Sequence, residues 1–362
     1  MGQNRIPLPV ALLVPRIAKL SLVLVGLAAS LATGFGGLVA GRGEASPAGR
    51  GAQESGKPVV LAFGGDVPFE GVLKAKLAAK PARVLAPIQP LLDDADLAVV
   101  NLETAVTNSA APAVKEFVFS APPSAFAALR GGGVDVASMA NNHGLDFGES
   151  GLRDSLAAAR RYRFPVIGIG LDGKQAYRPF RRTINGQRIA VIGATQVLDD
   201  ELIGAWTAGP GKPGLASAKE VPRLLQEVRA ARRTSDTVVV FLHWGVELEQ
   251  CPTPDQRELA KQLVAAGADV IVGGHAHRVL GAGRMGNALV GYGLGNFVWY
   301  GTSKLSTKTG VLFVTVTGRN VNSYRWVPAR IVDGVPRPVT GVERRRELAS
   351  WRSLRRCAGL EP

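Results

Sequence analysis

The feature that most constrains the fold is a repeated unit: a short apolar run ends at glycine or a polar residue, and a helical stretch follows. Runs such as VVLAF (59–63) and VVVFL (238–242) are continuous and rich in β-branched residues. They alternate with helical stretches at 148–162, 217–233 and 254–266. This alternation predicts an α/β fold whose strands are buried on both faces.

Polar residues follow these predicted strands at the point where each strand ends. In open α/β sheets, ligands bind beyond the carboxyl ends of the strands, so we expect these side chains to converge on one edge. They are Asp66, Asn101, Glu103, Asn141, Asn142, His143, Thr195, His243, His275 and Asn296.

The histidines strengthen this prediction. The chain contains four, His143, His243, His275 and His277, and each follows an apolar run of this pattern. A single histidine is usually structural, but four histidines at strand ends indicate a metal site. Imidazole beside carboxylate favours Mn, Fe or Zn, and the scarcity of cysteine excludes a thiolate site.

Six residues of this set can supply nitrogen and oxygen ligands for two divalent transition-metal ions. A shared carboxylate would hold two cations that clamp the attacking and leaving oxygens of a displacement. Glu103 is the candidate for the shared carboxylate. His143 is predicted to face the substrate, where it stabilises oxyanion charge or protonates the leaving group. The predicted ligands are Asp66, Glu103, Asn142, His243, His275 and His277.

These residues also have structural interpretations. Asp66 can cap a helix, Asn142 can occupy a turn, Glu103 can be a surface carboxylate, and His277 can support a ligand without being one. Four further residues near strand ends are predicted to support ligands or to face the substrate. They are Glu70, Asp146, Glu247 and Asn296.

The N-terminal segment is predicted to be a signal or membrane anchor. Residues 20–41 are uncharged and follow Arg5, Arg16 and Lys19. As a helix they would span about 33 Å, enough to cross a bilayer, and the cations place the N-terminus in the cytoplasm. Residues 43–45 offer a small-x-small cleavage site, so the exported remainder is either secreted or membrane-anchored; retention is slightly favoured.

The net charge of +14 has two explanations. It reflects a general use of arginine, or it attracts an anionic partner such as a wall polymer or lipid head groups. The sequence lacks interleaved basic and aromatic residues, so we expect no nucleic-acid partner. The two cysteines, Cys251 and Cys357, either form one disulfide that ties the C-terminal helix to the domain or remain free thiols.

Several segments together resemble the bacterial capsule-synthesis CapA family, the poly-γ-glutamate biosynthesis proteins. That family is a branch of the calcineurin-like metallophosphoesterases. The resemblance covers residues 58–300, with the segments in the family's order. They are FGGDV (63–67), VVNLET (99–104), FSAPPSAFAALRGGGVDVASMANNHGLDFG (119–148), LHWGVELE (242–249), GADVIVGGHAHRV (267–279) and YGLGNFVW (292–299).

The resemblance implies a four-layer α/β/β/α metallophosphoesterase-like sandwich. It places Asp66 at the first-motif aspartate, Glu103 at the bridging carboxylate and Asn142 at the asparagine ligand. His143 matches the histidine beside that asparagine. The three later histidine ligands of the family correspond to His243, His275 and His277.

The chain departs from the superfamily pattern at three places. Pro68 stands where the first motif has a histidine, which leaves the first metal site with fewer ligands. Glu103 replaces the more usual aspartate. Ala276 stands between two histidines where many relatives have proline.

The predicted organisation is an anchor segment (1–41), a flexible linker (42–57), the CapA-type domain (58–300), C-terminal strands completing the sandwich (301–341) and a basic helix or tail (342–362). The strand pair is VLFVTVTG followed by YRWVPARIV. The arginines of the basic helix are either solvated or in contact with an anionic lipid or polymer. They are Arg344, Arg345, Arg346, Arg352, Arg355 and Arg356.

Two functions compete. The first is an exported metal-dependent hydrolase acting on an anionic cell-envelope polymer, such as poly-γ-glutamate, or on its intermediate. The second is a membrane-tethered accessory subunit of a capsule-synthesis complex that binds the polymer without hydrolysing it. A third, more distant interpretation is a catalytically inactive structural domain.

Overall fold

The computed structural model describes residues 56–362. The predicted anchor and all of the predicted linker except Gly56 and Lys57 lie outside these residues. The strands are β1 (Val59–Asp66), β2 (Leu97–Asn101), β3 (Ala105–Val106), β4 (Ser120–Ala121), β5 (Val136–Ser138), β6 (Val166–Ile167), β7 (Ile169–Gly170), β8 (Phe180–Ile184), β9 (Gln187–Thr195), β10 (Gly214–Leu215), β11 (Thr237–Trp244), β12 (Val270–His275), β13 (Ala282–Met285), β14 (Ala288–Gly291), β15 (Lys308–Thr317), β16 (Asn320–Val332) and β17 (Val335–Pro338).

Helices lie between several of these strands and after the last one. They are α1 (Val72–Ala79), α2 (Pro81–Val84), α3 (Gln89–Leu92), α4 (Ala125–Gly131), α5 (Gly148–Arg161), α6 (Gly173–Ala176), α7 (Asp200–Trp206), α8 (Val221–Thr234), α9 (Pro254–Ala266), α10 (Gly341–Ser353) and α11 (Arg355–Ala358), with a 3₁₀ turn at Ala86–Ile88. None of the helices within residues 56–362 has the length and apolar character needed to span a membrane.

Two large sheets carry the fold. The first has the strand order β17-β16-β15-β1-β2-β5-β6, and the second has the order β13-β14-β12-β11-β9-β8. In the first sheet β1, β2, β5 and β6 run parallel. In the second sheet β9, β11, β12 and β14 run parallel. The apolar runs VVLAF and VVVFL lie in β1 and β11, one in each sheet.

Three clusters of buried apolar side chains separate four layers. Alternate residues of one strand enter different clusters: Phe63 joins the cluster between the two sheets, and its neighbour Ala62 packs beneath helices α1, α4 and α5. On the second sheet, Val239 faces the first sheet, whereas Val240 packs beneath α8 and α9. Strands buried on both faces have no polar alternation. The predicted four-layer α/β/β/α sandwich is confirmed.

The predicted helices agree with the structure except at one end. The stretch at 217–233 begins as α8 only at Val221. Ser217 instead bridges to Thr195, and its backbone N–H donates to the Tyr177 hydroxyl at 3.0 Å. This tertiary pairing delays the start of the helix to Val221. Pro222 fits the first helical turn, because a backbone N–H at that position would have no partner within the helix.

The C-terminal strands complete the first sheet. Strand β15 pairs antiparallel with β1, from Val59 opposite Val316 to Phe63 opposite Leu312, and β16 and β17 extend the sheet outwards. The predicted basic helix is α10, followed by α11. Trp351 is its buried residue and stacks on Trp326 of β16, with ring centroids 5.7 Å apart.

Candidate metal centre

The carboxyl ends of the parallel strands of both sheets meet at one rim, as predicted. Two groups of side chains there bring ligand atoms within 4.8 Å of one another. The first is Glu103, His243 and His275, and the second is Asp66, Glu103 and His277. Glu103 belongs to both groups, which is the position expected of a carboxylate shared by two ions.

Asp66 ends β1 and is fully buried. Its Oδ1 accepts a hydrogen bond from Asn101 Nδ2 at 2.8 Å, and its Oδ2 accepts one from the backbone N–H of His275 at 3.1 Å. A Cβ atom at Gly274 would lie 2.2 Å from Asp66 Oδ1. Glycine is therefore required there, because any side chain would displace the carboxylate. The helix-cap interpretation of Asp66 is wrong.

His243, Asn142 and Glu103 direct ligand-type atoms at one point. His243 Nε2 lies 2.8 Å from Asn142 Oδ1 and 3.4 Å from Glu103 Oε1. The other ring nitrogen, Nδ1, lies 3.0 Å from Asn101 Nδ2. One imidazole nitrogen and two oxygens therefore form a mixed ligand set suited to a borderline cation.

Glu103 and His275 have the free ligand atoms that a bound cation would require at this centre. Both carboxylate oxygens of Glu103 and the Nδ1 atom of His275 are buried and have no hydrogen-bond partner among residues 56–362. Burial and the neighbouring Asp66 carboxylate raise the pKa of Glu103 well above its usual range. A buried carboxylate without a partner is costly, and a divalent ion would remove that cost. The surface interpretation of Glu103 is wrong.

Burial keeps two of the imidazoles neutral. It lowers the pKa of His243 well below its usual value, and the nearby His275 lowers it further. Burial and His277 lower the pKa of His275 to about 4. Neutral imidazoles carry the lone pair that a metal ion requires, so both rings are ready to bind.

His277 differs from these two rings. Burial disfavours its charged form, but the Glu103 and Asp66 carboxylates outweigh that effect and raise its pKa to about 9. Its Nδ1 atom lies 3.4 Å from Asp66 Oδ2 and 2.9 Å from Asn296 Oδ1. In the absence of an ion, His277 therefore supplies the positive charge that balances the carboxylates.

His143 lies beside the cluster and belongs to neither ligand group. Its Nδ1 atom is 2.6 Å from Asp146 Oδ2, and its ring stacks on Phe119 at 4.0 Å. The same Asp146 accepts hydrogen bonds from the Phe119 backbone N–H at 2.6 Å and from Lys115 Nζ at 2.8 Å. Asp146 thus holds the His143 ring through this contact, and its functional role as a supporting residue stays a prediction.

The remaining predicted residues occupy the rim. Asn296 donates from Nδ2 to the Ser306 carbonyl at 3.0 Å and so orients its oxygen towards His277. The Glu70 carboxylate accepts a hydrogen bond from the Ser120 backbone N–H at 3.1 Å and forms an ion pair with Lys74. Glu70 belongs to neither ligand group. Glu247 lines the cavity above the cluster.

That cavity has a volume of about 340 Å³. Its walls are partly aromatic: Trp299 packs on the His277 ring at 4.6 Å and on Tyr300 at 4.7 Å. The cavity is lined by the candidate catalytic residue His143 and by the candidate ligands Asn142 and His277. The lining comprises Lys115, Glu116, Phe117, Phe119, Asn142, His143, Asp199, Glu247, His277, Trp299 and Tyr300.

Three residues of the centre were not among the predicted ligand, catalytic or supporting residues. Asn101 bridges Asp66 and His243, and Asn141 in turn donates to Asn101 Oδ1 at 2.9 Å. Both follow strands in the repeated pattern, so the signal was present in the sequence. Lys115 had no such signal, because it lies in the irregular segment between β3 and β4 and reaches the site only through tertiary contacts.

The family relationship is clear from sequence comparison. Residues 60–300 match the family described as bacterial capsule synthesis protein PGA_cap. The chain belongs to this family. The matched region contains every residue of both ligand groups as well as His143 and Asp146.

Within the PGA_cap relatives, the capsule biosynthesis protein CapA of Bacillus anthracis is 30% identical over 70% of this chain, and the match spans 62% of that relative's length. The PGA biosynthesis protein CapA of Bacillus subtilis is 29% identical over 70% of this chain and 66% of its own length. A probable polyglutamine synthesis accessory protein of Mycobacterium tuberculosis is 27% identical over 65% of this chain and 66% of its own length.

Proposed function

We propose that this chain is an exported, metal-dependent hydrolase that acts on an anionic cell-envelope polymer of the poly-γ-glutamate type or on an intermediate of its synthesis. The observation that carries the proposal is the unpartnered, fully buried Glu103 carboxylate at the junction of two ligand groups. Without a cation at this point, both buried oxygens of Glu103 would lack a polar partner, which is costly.

The residues fit two divalent ions, for which we propose Mn, Fe or Zn, held by Asp66, Glu103, Asn142, His243, His275 and His277. Such ions supply Lewis-acid polarisation of the substrate and a water nucleophile at neutral pH. The aromatic wall and the buried strand ends restrict access of bulk water, which strengthens each electrostatic contact with the substrate.

His143 is proposed to act on the leaving group. Asp146 fixes the ring through Nδ1, so the Nε2 atom is the one left to contact the substrate. When protonated, the ring can donate the Nε2 proton to the departing oxygen or nitrogen, or stabilise negative charge on the reacting group. Lys115 and Phe119 hold Asp146 and the ring in this orientation.

The substrate class rests on charge and on the relatives. The chain carries a net charge of +14, which favours an anionic partner. Relatives that match two-thirds of the chain are named for capsule and PGA biosynthesis. We therefore propose a polycarboxylate envelope polymer as substrate and no nucleic-acid partner.

The location outside the cytoplasm is part of the same proposal. The uncharged segment 20–41 would act as a signal or membrane anchor. The pairing of Cys251 with Cys357 supports this location, because disulfides persist mainly in oxidising compartments. Membrane fractionation of cells producing the full chain tests it: recovery of the protein in the soluble cytoplasmic fraction alone would contradict export.

Two histidine variants test the hydrolase proposal. In His243→Ala, metal content and turnover should both fall, because the variant removes a ligand. In His143→Ala, metal content should remain at the wild-type level while turnover falls by about 10²-fold or more. Elemental analysis and release of small products from poly-γ-glutamate and from generic phosphodiesters provide the measurements. Full turnover in both variants would contradict the proposal.

One observation favours the alternative of a membrane-tethered accessory subunit in a capsule-synthesis complex. Pro68 lies two residues after Asp66, where the metallophosphoesterase pattern has a histidine, and its ring offers no ligand atom. One relative is also named an accessory protein. Tight binding of poly-γ-glutamate by the metal-loaded protein, without any release of product, would favour this function over hydrolysis.

A further inference from the structure

The cavity above the metal centre is the first of three cavities that share lining residues. Tyr300 lines both the site cavity and a second cavity of about 600 Å³. Lys76 and Asp333 line both that second cavity and a third of about 320 Å³. The three cavities therefore adjoin one another in a row that begins at the site cavity. We call the part beyond Tyr300 the basic groove, and its cations are Lys76, Lys80, Arg83, Arg330 and Arg337.

Two elements form the walls of the basic groove. Val72, Lys76 and Ala79 lie three and four residues apart on α1 and therefore share one face of that helix. The opposite wall is the turn between β16 and β17, whose Asp333 carbonyl accepts a hydrogen bond from Lys76 Nζ at 2.7 Å. Helix α1 alone is about 12 Å long, enough for three or four residues of an extended chain.

Most charges in the basic groove lack a counter-ion. Lys80, Arg83 and Arg337 are exposed and form no ion pair with any of residues 56–362. Arg337 stands directly opposite Arg330 in the β16–β17 ladder, and like charges at such positions destabilise a sheet. Arg330 is neutralised by two glutamates, Glu343 and Glu347, whereas Arg337 is not. An anion in the groove would relieve this repulsion.

Apolar side chains alternate with these cations. Val72 is 55% exposed and Val332 is 45% exposed, both on the groove surface, and Val84 and Val335 form part of its floor. A polyphosphate has no apolar part to contact them. A polymer with a carbon backbone and pendant carboxylates would place its methylene groups on the valines and its charges on the lysines and arginines.

We propose that the basic groove binds the extension of a polycarboxylate chain whose reacting segment lies in the site cavity. The inference rests on the proposed function for its substrate and adds the location and polarity of the binding surface. The affinity of the protein for the polymer should therefore rise with polymer length, because only a chain longer than the site cavity can reach Arg83 and Arg337.

The test uses one charge reversal on each wall, in the full chain. Arg83→Glu/Arg337→Glu is compared with Arg229→Glu/Arg233→Glu, which makes the same charge change on exposed positions of α8, on the helix layer over the second sheet. Fluorescence anisotropy with labelled long-chain poly-γ-glutamate should show about tenfold or greater weakening for the groove variant and little change for the control. A γ-glutamyl dimer should bind both variants and the wild type equally.

The outcomes separate this inference from the proposed function. If the wild type binds the polymer and the groove variant binds it equally well, the groove inference is wrong and the proposed function stands. If the wild type binds no polymer, both fail. Inorganic polyphosphate that competes as well as the polycarboxylate would overturn the choice of ligand. Should the charge reversal prevent folding, Arg83→Gln/Arg337→Gln must show a smaller loss of affinity in the same direction.

Discussion

At the scale of single residues, the centre depends on close approach between backbone and side chains. Gly274 allows the Asp66 carboxylate to lie against β12, and His275 and His277 adopt positive φ angles of 91° and 52°. Such angles are uncommon for residues other than glycine and concentrate at functional sites. The two strained residues are also the two of this strand end whose side chains enter the ligand groups.

Gly274→Ala tests that close approach. The added Cβ would collide with Asp66 Oδ1, so we expect metal content to fall and the free energy of unfolding to drop by about 1–3 kcal/mol. Gly204→Ala is the matched control, because a Cβ there meets nothing within 4 Å. Urea denaturation and elemental analysis check the result. Equal metal content and stability in the two variants would show that the contact does not matter.

The raised pKa of His277 predicts how stability depends on pH in the metal-free protein. Its folded-state pKa of about 9 exceeds the usual value, so the charged ring stabilises the fold fully below about pH 6.5. That contribution, about 3 kcal/mol at most, is lost as pH rises through 9. The raised pKa of Glu103 acts in the same direction.

Denaturation in the presence of a chelator, between pH 6 and roughly 10, measures this loss. His277→Gln should show a shallower decline than the wild type over the same interval. A wild-type stability that rises with pH there would mean that the carboxylates do not hold the charge on His277.

At the scale of secondary-structure elements, the sequence predicted the features that depend on the local pattern of residues. Apolar runs that end in polar residues identified the strands and, through them, Asp66, Glu103, His243 and His275. The start of α8 was not predictable, because the contacts of Ser217 with Tyr177 and Thr195 are tertiary. Lys115 was missed for the same reason.

The disulfide joins two distant elements, and the sequence left open whether its two cysteines are bonded or free. Cys251, in the segment after β11, bonds to Cys357 of α11, and the two are 106 residues apart. Closing so long a loop restricts the unfolded chain, and its removal should lower the free energy of unfolding by up to about 4–5 kcal/mol. Cys357→Ser and the wild type with reductant should show the same loss in urea denaturation. No effect of reductant would indicate that the cysteines are unpaired in solution.

At the scale of the whole molecule, two sheets from distant parts of the chain bring their strand ends to one rim. The first sheet supplies the carboxylates and the second supplies His243 and His275. Neither half holds a complete ligand group, because both groups combine residues from the two sheets. The four-layer packing was predictable from the resemblance. The basic groove could not be predicted from the sequence, because its two walls, α1 and the β16–β17 turn, are far apart along the chain.

The metal content of the wild type and of Glu103→Gln tests the central claim most directly. We predict two divalent ions per chain in the wild type, since two ligand groups share Glu103, and the loss of one or both in the variant. Glu116→Gln, a cavity-lining change outside both groups, should keep the wild-type content. A wild type that takes up no Mn, Fe or Zn, or a Glu103→Gln variant that binds as much as the wild type, would contradict the account.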